Sequence, residues 1–334
     1  MNTSGSTPSG GTKRAASHAP RTAIVAAHAK LNLRLAVLAR ETSGYHAIET
    51  VFHRLALADE VRITLQPQGT RTIRCSVDVG PAQDNLAYRA AAAYLDTAQW
   101  ATGFAIEIIK RIPVRGGLGG GSADAAATLR GLQALQQAAM RAGEGAGVVC
   151  TSAAVLELAA RIGADVPFLT TDAAMALAWG RGDRLLALDP LPERWVALVV
   201  PEVGIDTAEA YQWIADARQM ADVQPKDGAQ RNDGARRGAP SVLHPWQLAN
   251  WSEIVPLARN DFTAVVAERH SFIAQGLTAL REAGAVVAEM SGSGSTMFGI
   301  FERQPDAEAI AHAAGMAVLV TTTATGPCRT ELRA

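Results

Sequence analysis

The chain has 334 residues, about two average domains in length, and its 48% hydrophobic residues are enough for a sizeable core. The net charge of −1 and the aromatic content of 5% argue against a dedicated nucleic-acid-binding protein, which usually carries a basic excess and stacking rings. No apolar run reaches the roughly 18 residues that a membrane helix needs, and the N-terminal segment lacks the apolar core of a secretory signal. The sequence therefore predicts a cytoplasmic protein that binds neither a membrane nor a nucleic acid.

The first patterned segment predicts a strand. Leu31, Leu33 and Leu35 alternate with polar residues, and this period of two is typical of a strand with one buried face. Lys30 and Asn32 should therefore point to the same side. A lysine on the polar face of a strand is usually solvated, so the pattern alone gives Lys30 no special role.

The remaining patterns mix strands and helices. Strands are predicted for ETVFHRLAL, EVRITLQP, RTIRCSVDV, GFAIEIIKRIPV, WVALVV, AVVAEM, STMFGIF and AVLVTTTA. Helices are predicted for Leu86–Asp96, DAAATLRGLQALQQAAM, SAAVLELAARIG, TAEAYQWIADARQ, Trp246–Leu257, Asp261–Ala283 and Asp306–Gly315. Because the two types do not alternate regularly, the predicted fold class is α+β, with a domain boundary near Pro190–Arg194.

Two stretches lack the apolar residues that a packed core requires. Their composition predicts that residues 1–21 form a disordered tail and that residues 224–240 form a disordered surface insertion. Cys75, Cys150 and Cys328 lie far apart without metal-ligand spacing, so we expect free thiols outside the chemistry.

The strongest chemical signal is the glycine-rich stretch Pro113–Ala127. Glycines let backbone N–H groups approach a ligand closely, and a helix start, here with Ser122 as expected N-cap, adds unpaired donors and a positive dipole end. Together these features predict a phosphate-binding loop rather than a plain strand–helix connection. From Gly116 it lacks the Lys-Ser/Thr of a P-loop, and Ser122 replaces the last glycine of a dinucleotide pattern that starts at Gly117.

Two weaker signals leave alternatives open. The segment Met290–Thr296 is either a long hairpin loop or a second glycine loop that packs beside the first or touches substrate. Asp165 follows a helix that should end at Gly163, and a carboxylate there usually caps a helix or forms an ion pair. Its local sequence therefore favours a structural role.

Several motifs together carry a resemblance to a known family. In chain order they are AKLNL, GYH, PVRGGLGGGSADAA, GADVPF, GIDTAEAY, NDF and MSGSGS. Over about residues 23–324 the chain resembles the GHMP kinase superfamily, and within it the branch that phosphorylates 4-diphosphocytidyl-2-C-methyl-D-erythritol. The resemblance implies a two-domain α+β fold. Residues 22–192 would form an ATP-binding half like ribosomal protein S5 domain 2, residues 193–334 a ferredoxin-like half, and the active site would lie between them.

The resemblance also implies a reaction and its residues. ATP as co-substrate, with Mg²⁺, would phosphorylate the 2-hydroxyl of this small-molecule substrate in non-mevalonate isoprenoid synthesis, and the protein would be a monomer or weak homodimer. Asp165 would be the general base and Lys30 its charged partner. The residues implied in ATP binding are Pro113, Val114, Arg115, Gly116, Gly117, Leu118, Gly119, Gly120, Gly121, Ser122 and Ala123. Those implied in substrate binding are Asn32, Tyr45, His46 and Thr207, whereas Asn260 and Asp261 match a signature without an assigned role.

The chain departs from the family pattern at three positions. His28 stands where proline is common, Arg115 where a small residue is usual, and Ala123 where a second serine is usual. Arg115 either reaches a nucleotide phosphate or points outward. Two other functions stay open: a GHMP kinase for another small alcohol, such as homoserine or mevalonate, and an inactive nucleotide-binding sensor. The presence of both Lys30 and Asp165 argues against the sensor.

Overall fold

The structure is a computed structural model that describes residues 19–40, 46–223, 243 and 245–334. The predicted insertion and Tyr45 lie outside the described residues, as does most of the predicted tail. The last residues of that tail contact the folded chain, because Ala19 is buried and its N–H donates to Glu144. Within the described ranges, no helix is both long and apolar enough to cross a membrane.

Twelve strands in the described part of the chain form two sheets. In chain order they are β1 (Thr22–Arg40), β2 (His46–Gln66), β3 (Arg71–Cys75), β4 (Gly103–Ile109), β5 (Met175–Gly180), β6 (Arg184–Leu188), β7 (Trp195–Val200), β8 (Arg259–Asn260), β9 (Val287–Met290), β10 (Met297–Phe301), β11 (Ala317–Thr322) and β12 (Thr330–Arg333). The larger sheet has the order β12-β1-β2-β4-β3, with β5 and β6 added beside β2 and β8 beside β1. The smaller has the order β11-β7-β10-β9. Because β8 and β12 pair with β1, the second half of the chain returns twice to the first sheet.

Strands β1 and β2 are long and antiparallel, and their register shifts three times. The two predicted segments ETVFHRLAL and EVRITLQP are a single strand, so the expected break between them is wrong. One register shift lies between His28 and Lys30 and another between Asn32 and Arg34. Such bulges bend a strand and redirect its side chains, which places Lys30 and Asn32 at the bend.

Nine helices and three short 3₁₀ turns complete the described chain. The helices are α1 (Leu86–Ala98), α2 (Gly120–Arg141), α3 (Ser152–Ile162), α4 (Val166–Thr170), α5 (Thr207–Val223), α6 (Trp251–Ile254), α7 (Asp261–Ala267), α8 (Ser271–Glu282) and α9 (Ala307–Ala314). The 3₁₀ turns are Ala82–Asp84, Pro245–Leu248 and Val255–Leu257. The expected helix Asp261–Ala283 is therefore two helices, and the expected helix Trp246–Leu257 is one short α-helix between two 3₁₀ turns. Helix α3 ends at Gly163, as predicted.

Two hydrophobic cores hold these elements together. The first packs α1 and α2, with Leu129 and Leu132, against the larger sheet. The second packs the helices of the C-terminal half against one face of the smaller sheet. Strand β7 belongs to both, since Val196 lies in the first core and Val199 in the second. The order of the smaller sheet is that of a βαββαβ ferredoxin-like unit. The predicted α+β fold class is confirmed.

Candidate active site

A cleft of about 570 Å³ is lined by residues from the first and the second half of the sequence. Its walls come from β1, from the glycine-rich loop before α2, from the start of α4 and from α5. Of the residues predicted to bind ATP, Pro113 to Ser122 line this cleft. Ala123 is buried in the first core, so a serine hydroxyl at this position would face protein rather than the cleft.

The glycine-rich loop ends in the N-terminus of α2. Strand β4 stops at Ile109, earlier than the predicted strand, and the intervening chain forms the loop. Helix α2 begins at Gly120 with Gly119 as its N-cap, so the expectation that Ser122 caps the helix is wrong. Gly119 has φ +72°, and a Cβ there would lie 3.1 Å from two carbons of Lys30. Only glycine combines this conformation with this close approach.

The second glycine loop packs directly against the first. The Thr296 N–H donates to the Gly116 carbonyl at 3.2 Å, and Ser291 Oγ donates to the Gly117 carbonyl at 3.0 Å. A Cβ on Gly117 would lie 2.2 Å from the Ser291 carbonyl oxygen, which is too close for any side chain. The segment is the hairpin loop between β9 and β10, and it also packs beside the first loop, as the second alternative predicted.

Lys30 lies beneath the phosphate loop and is buried. Its Nζ donates to Asn32 Oδ1 at 2.8 Å and to the Gly117 carbonyl at 3.0 Å. Its ammonium also lies 5.7 Å from the centre of the Phe52 ring. The expectation that the polar face of β1 is solvated is wrong, because the two glycine loops cover it. That Lys30 and Asn32 share a side is confirmed by their hydrogen bond.

Asp165 completes this group from the opposite wall. Its Oδ2 lies 3.4 Å from Lys30 Nζ, and its side chain is 28% exposed against 4% for Lys30. Asp165 occupies the N-cap position of α4, yet its side chain makes no capping hydrogen bond. The carboxylate is thus directed into the cleft and paired with an ammonium, although α4 begins there.

Asn32 links the strand to the second loop. Its Oδ1 accepts from Lys30 and from the Gly292 N–H at 3.0 Å, while its Nδ2 donates to Thr50 Oγ1 at 2.8 Å. These hydrogen bonds tie Lys30 to the second loop and anchor Asn32 on Thr50 of the neighbouring strand β2. In this structure Asn32 lines the cleft as a positioning residue.

Rings gather at one end of the cleft. Tyr211 of α5 stacks on His46 with ring centres 4.9 Å apart, and Tyr211 and Phe262 form a T-shaped pair with the same distance between ring centres. Burial and then the charge of Asp165 raise the pKa of Tyr211, so its hydroxyl stays protonated at neutral pH. Thr207 also lines this end and its Oγ1 lies 2.9 Å from Ser293 Oγ.

A side pocket of about 350 Å³ adjoins the other end of the cleft. The two cavities share Val79 and Asn85. Asn85 caps α1, and its Nδ2 lies 3.7 Å from the sulfur of Cys75, which lines the side pocket. The side pocket therefore continues from the cleft beside the glycine-rich loop, and Cys75 lies in its wall.

A buried group of charges supports the loop from behind. Lys110 Nζ lies 2.5 Å from Asp59 Oδ2 and 2.8 Å from Asp124 Oδ2. Burial opposes the charge of Lys110, but Asp124 and Asp59 outweigh it and raise the Lys110 pKa. Burial raises the pKa of Asp124 to about 7, against the lowering effect of Lys110 and with a further rise from Asp59. Two carboxylates thus compete for one ammonium.

The structure brings together most of the residues that the sequence singled out. Lys30, Asn32, Asp165, Thr207 and the phosphate loop all line one cleft, whereas His46 contacts it through Tyr211. Sequence reasoning missed Tyr211, Lys110 and Asp124. Tyr211 follows Thr207 by one helical turn, which is the signal that could have found it.

Comparisons with known proteins identify the family of the chain. Family models described as GHMP kinases N terminal domain and GHMP kinases C terminal match residues 85–173 and 247–316. The 4-diphosphocytidyl-2-C-methyl-D-erythritol kinase of Citrifermentans bemidjiense is 35% identical over 291 residues, which cover 86% of this chain and 91% of that protein.

Solved structures extend the comparison. A crystal structure of 4-(cytidine 5'-diphospho)-2C-methyl-D-erythritol kinase matches with a TM-score of 0.65 and 30% identity, covering 91% of this chain and 100% of the other. Homoserine kinase from Cytophaga hutchinsonii has a TM-score of 0.61 over 93% of this chain and 97% of its own, but at 16% identity it shows the fold alone. The chain therefore belongs to the GHMP kinase family, together with these 4-diphosphocytidyl-2-C-methyl-D-erythritol kinases.

Proposed function

We propose that the protein transfers the γ-phosphoryl group of ATP to the 2-hydroxyl of 4-diphosphocytidyl-2-C-methyl-D-erythritol. One observation carries the proposal: the Lys30–Asp165 pair, 3.4 Å apart, lies on the floor of the cleft beside the phosphate loop. A carboxylate paired with an ammonium next to a phosphate-binding loop is the arrangement that phosphoryl transfer to an alcohol needs.

The nucleotide would occupy the loop end of the cleft. The backbone of the loop is held by Lys30, Ser291 and Thr296, so its N–H groups are fixed before a ligand arrives. The start of α2 adds unpaired N–H groups and the positive end of a helix dipole. The side pocket around Val79 and Asn85 continues from this end and would accept the base. We therefore assign the backbone of Pro113 to Ser122 to the ATP phosphates.

The chemical step needs a proton acceptor and a stabilised phosphoryl group. As the acceptor oxygen bonds to the γ-phosphorus, the bond from that phosphorus to the β–γ bridging oxygen breaks and ADP leaves. The hydroxyl proton passes to Asp165. Lys30, with its Nζ held by Asn32 and Gly117, carries the positive charge that faces the transferred group.

Magnesium would accompany ATP rather than fill a protein cage. Among the described residues, no group of three or more His, Cys, Asp or Glu side chains could hold a metal ion by itself. Mg²⁺ commonly binds substrate phosphates with one or two protein oxygens. Asp124, whose buried Oδ1 has no hydrogen-bond partner, and Ser122 line the cleft and fit that need. When bound there, the ion would neutralise phosphate charge.

The acceptor would occupy the end that carries the rings. A cytosine needs a ring face and a polar edge, and Tyr211, stacked on His46, offers the face. Thr207 and Ser293 offer hydroxyl groups. We assign Asn32, Tyr45, His46 and Thr207 to the acceptor side, as the sequence suggested, with Asn32 acting through Lys30.

A panel of acceptors tests the proposal. The purified protein is given ATP, Mg²⁺ and one acceptor at a time, and ADP release is followed. We expect kcat/KM for the diphosphocytidyl alcohol to exceed that for 2-C-methylerythritol 4-phosphate by about 10⁴, because an empty base pocket leaves polar groups unpaired. Equal values would refute the cytidine site. If only homoserine or mevalonate were phosphorylated, that alcohol would be the acceptor instead. Lys30→Met serves as the inactive control.

The remaining expectations belong to this proposal as well. They are a cytoplasmic location, a monomer or weak homodimer, and no nucleic-acid partner. We also propose the division into 22–192 and 193–334, with the active site between the halves. Size-exclusion chromatography with light scattering would check the oligomeric state.

A further inference from the structure

Arg115 lies in the phosphate loop in a conformation that suits glycine. Its φ is +60°, and Gln99 is the other described non-glycine residue with a positive φ. Gln99 ends helix α1, where a left-handed residue is common. Arg115 is not at a helix end, and a glycine would adopt its conformation at lower free energy.

Other parts of the protein fix the backbone at this point. The next two carbonyl groups are engaged, that of Gly116 by the Thr296 N–H and that of Gly117 by Lys30 and Ser291. The loop therefore keeps its shape independently of the side chain at position 115. What arginine adds over glycine there is its side chain.

That side chain brings an unpaired charge to the cleft. Its stem packs along Gly204, where a Cβ would lie 3.4 Å from Arg115 Cβ and 4.0 Å from its Cδ. Arg115 is exposed and lines the cleft. Within the described chain, its guanidinium has no ion pair or hydrogen bond. Lys30 and Lys110, which line the same cleft, each have a carboxylate partner.

We propose that the Arg115 guanidinium binds phosphate oxygens of a nucleotide in the cleft. A guanidinium presents two parallel N–H groups that match a phosphate, and it remains charged at every working pH. Two sources carry this chemistry, the triphosphate of ATP and the diphosphate of the acceptor. The loop that holds Arg115 faces the first, and Gly204, which precedes Thr207, lies on the side of the second. The inference rests on the proposed function for the identity of these ligands.

Calorimetry tests this without turnover. ATP alone and CDP alone are titrated into the wild type, Arg115→Met, Arg115→Gly, Arg115→Lys and the control Arg303→Gln, an exposed arginine outside the cleft. We expect Arg115→Met to raise the Kd of at least one probe about tenfold, or about 1.4 kcal/mol. The Lys variant should recover part of this loss, and the control should match the wild type. If only ATP binding weakens, Arg115 binds the triphosphate of ATP. If only CDP binding weakens, it binds the diphosphate of the acceptor.

The glycine variant separates binding from folding. Arg115→Gly removes the guanidinium and relieves the backbone, so its melting temperature should equal or exceed that of the wild type while its Kd rises as in Arg115→Met. Unchanged Kd values for both probes in Arg115→Met would overturn the proposal. So would a glycine variant that binds normally, or one that melts many degrees lower. If the wild type binds both probes but does not phosphorylate the diphosphocytidyl alcohol, the proposed function fails and the role of Arg115 is still decided by binding.

Discussion

Asp165→Asn is the change that tests the chemistry most directly. It keeps the shape of the side chain and removes the proton acceptor. If Asp165 is the base, kcat should fall by about 10²–10⁴, or about 3–5 kcal/mol in the activation free energy. ATP affinity should stay within about twofold, because the phosphate loop is held by Lys30, Ser291 and Thr296 rather than by Asp165.

The contacts around Asp165 limit how much free energy of unfolding the Asp165→Asn substitution costs. Removing one partner of a fully buried ion pair costs about 3–5 kcal/mol. Here Asp165 is 28% exposed, and Lys30 keeps Asn32 Oδ1 at 2.8 Å and the Gly117 carbonyl at 3.0 Å as acceptors. We therefore expect a loss of about 1 kcal/mol in the free energy of unfolding, or a few degrees in Tm.

The assay compares four variants by ADP release, ATP titration and thermal melting. Lys30→Met should lower kcat by a similar factor, and the double variant should lose less than the product, because the two residues act as a unit. Asp84→Asn, which changes another carboxylate of the cleft, is the control with near-normal kcat. A near-normal kcat for Asp165→Asn together with a Tm many degrees lower would show that Asp165 is structural and would refute the proposed base.

Three further changes have defined outcomes. The raised pKa of Asp124, about 7 against 3.8 for the unfolded chain, favours the protonated folded state, so its contribution to stability is present at low pH and is lost as pH rises through 7. Asp124→Asn should therefore flatten the dependence of Tm on pH between about 4 and 7, and an unchanged slope there would exclude Asp124 as its source. Labelling of Cys75, in the side pocket, with a bulky maleimide should weaken ATP binding, and bound ATP should slow the labelling reaction. Cys150 is buried and should not react. Unaffected ATP binding after labelling of Cys75 would contradict this. Replacing residues 224–240 by a short linker should cost about 1 kcal/mol or less, because loop closure depends weakly on length, and a variant unfolded at ambient temperature would contradict this.

Local patterns in the sequence were enough for part of this site. A period of two placed Lys30 and Asn32 on one side, and the hydrogen bond between them confirms it. A run of glycines before a helix predicted a loop that leads into a helix start, and the structure shows a glycine-rich loop before α2. In both cases the relevant neighbours are close in the chain, so backbone geometry alone decides the outcome.

Other features depend on contacts between distant segments. Nothing near Lys30 in the sequence shows that two loops will bury it, and nothing near Asp165 distinguishes a paired carboxylate from a cap. The pair forms because a bulge in β1 and the start of α4 meet across the cleft. Sequence periodicity describes one element at a time, so it cannot report such a meeting.

Asn260 shows how such a contact turns an unexplained signature into a testable role. It is buried, its Nδ2 donates to the carbonyls of Met290 and Gly292 at 2.6 and 2.7 Å, and its Oδ1 caps α7. Because the Gly292 N–H donates to Asn32, which accepts from Lys30, Asn260 holds the second loop in the position that fixes Lys30. Asn260→Asp keeps the cap and directs an anion at two carbonyl oxygens.

We expect Asn260→Asp to cost about 2–3 kcal/mol in the free energy of unfolding, since two buried acceptors lose their donors. It should also lower kcat about tenfold, because Lys30 loses its fixed position. Asn250→Asp is the matched control: Asn250 also caps a helix, but it is exposed and lies outside the cleft lining. Aspartate caps as well as asparagine, so this control should be neutral. If the two variants melt and turn over alike, Asn260 does not hold the second loop, and the contacts of Ser291 and Thr296 with the first loop are enough to keep it in place.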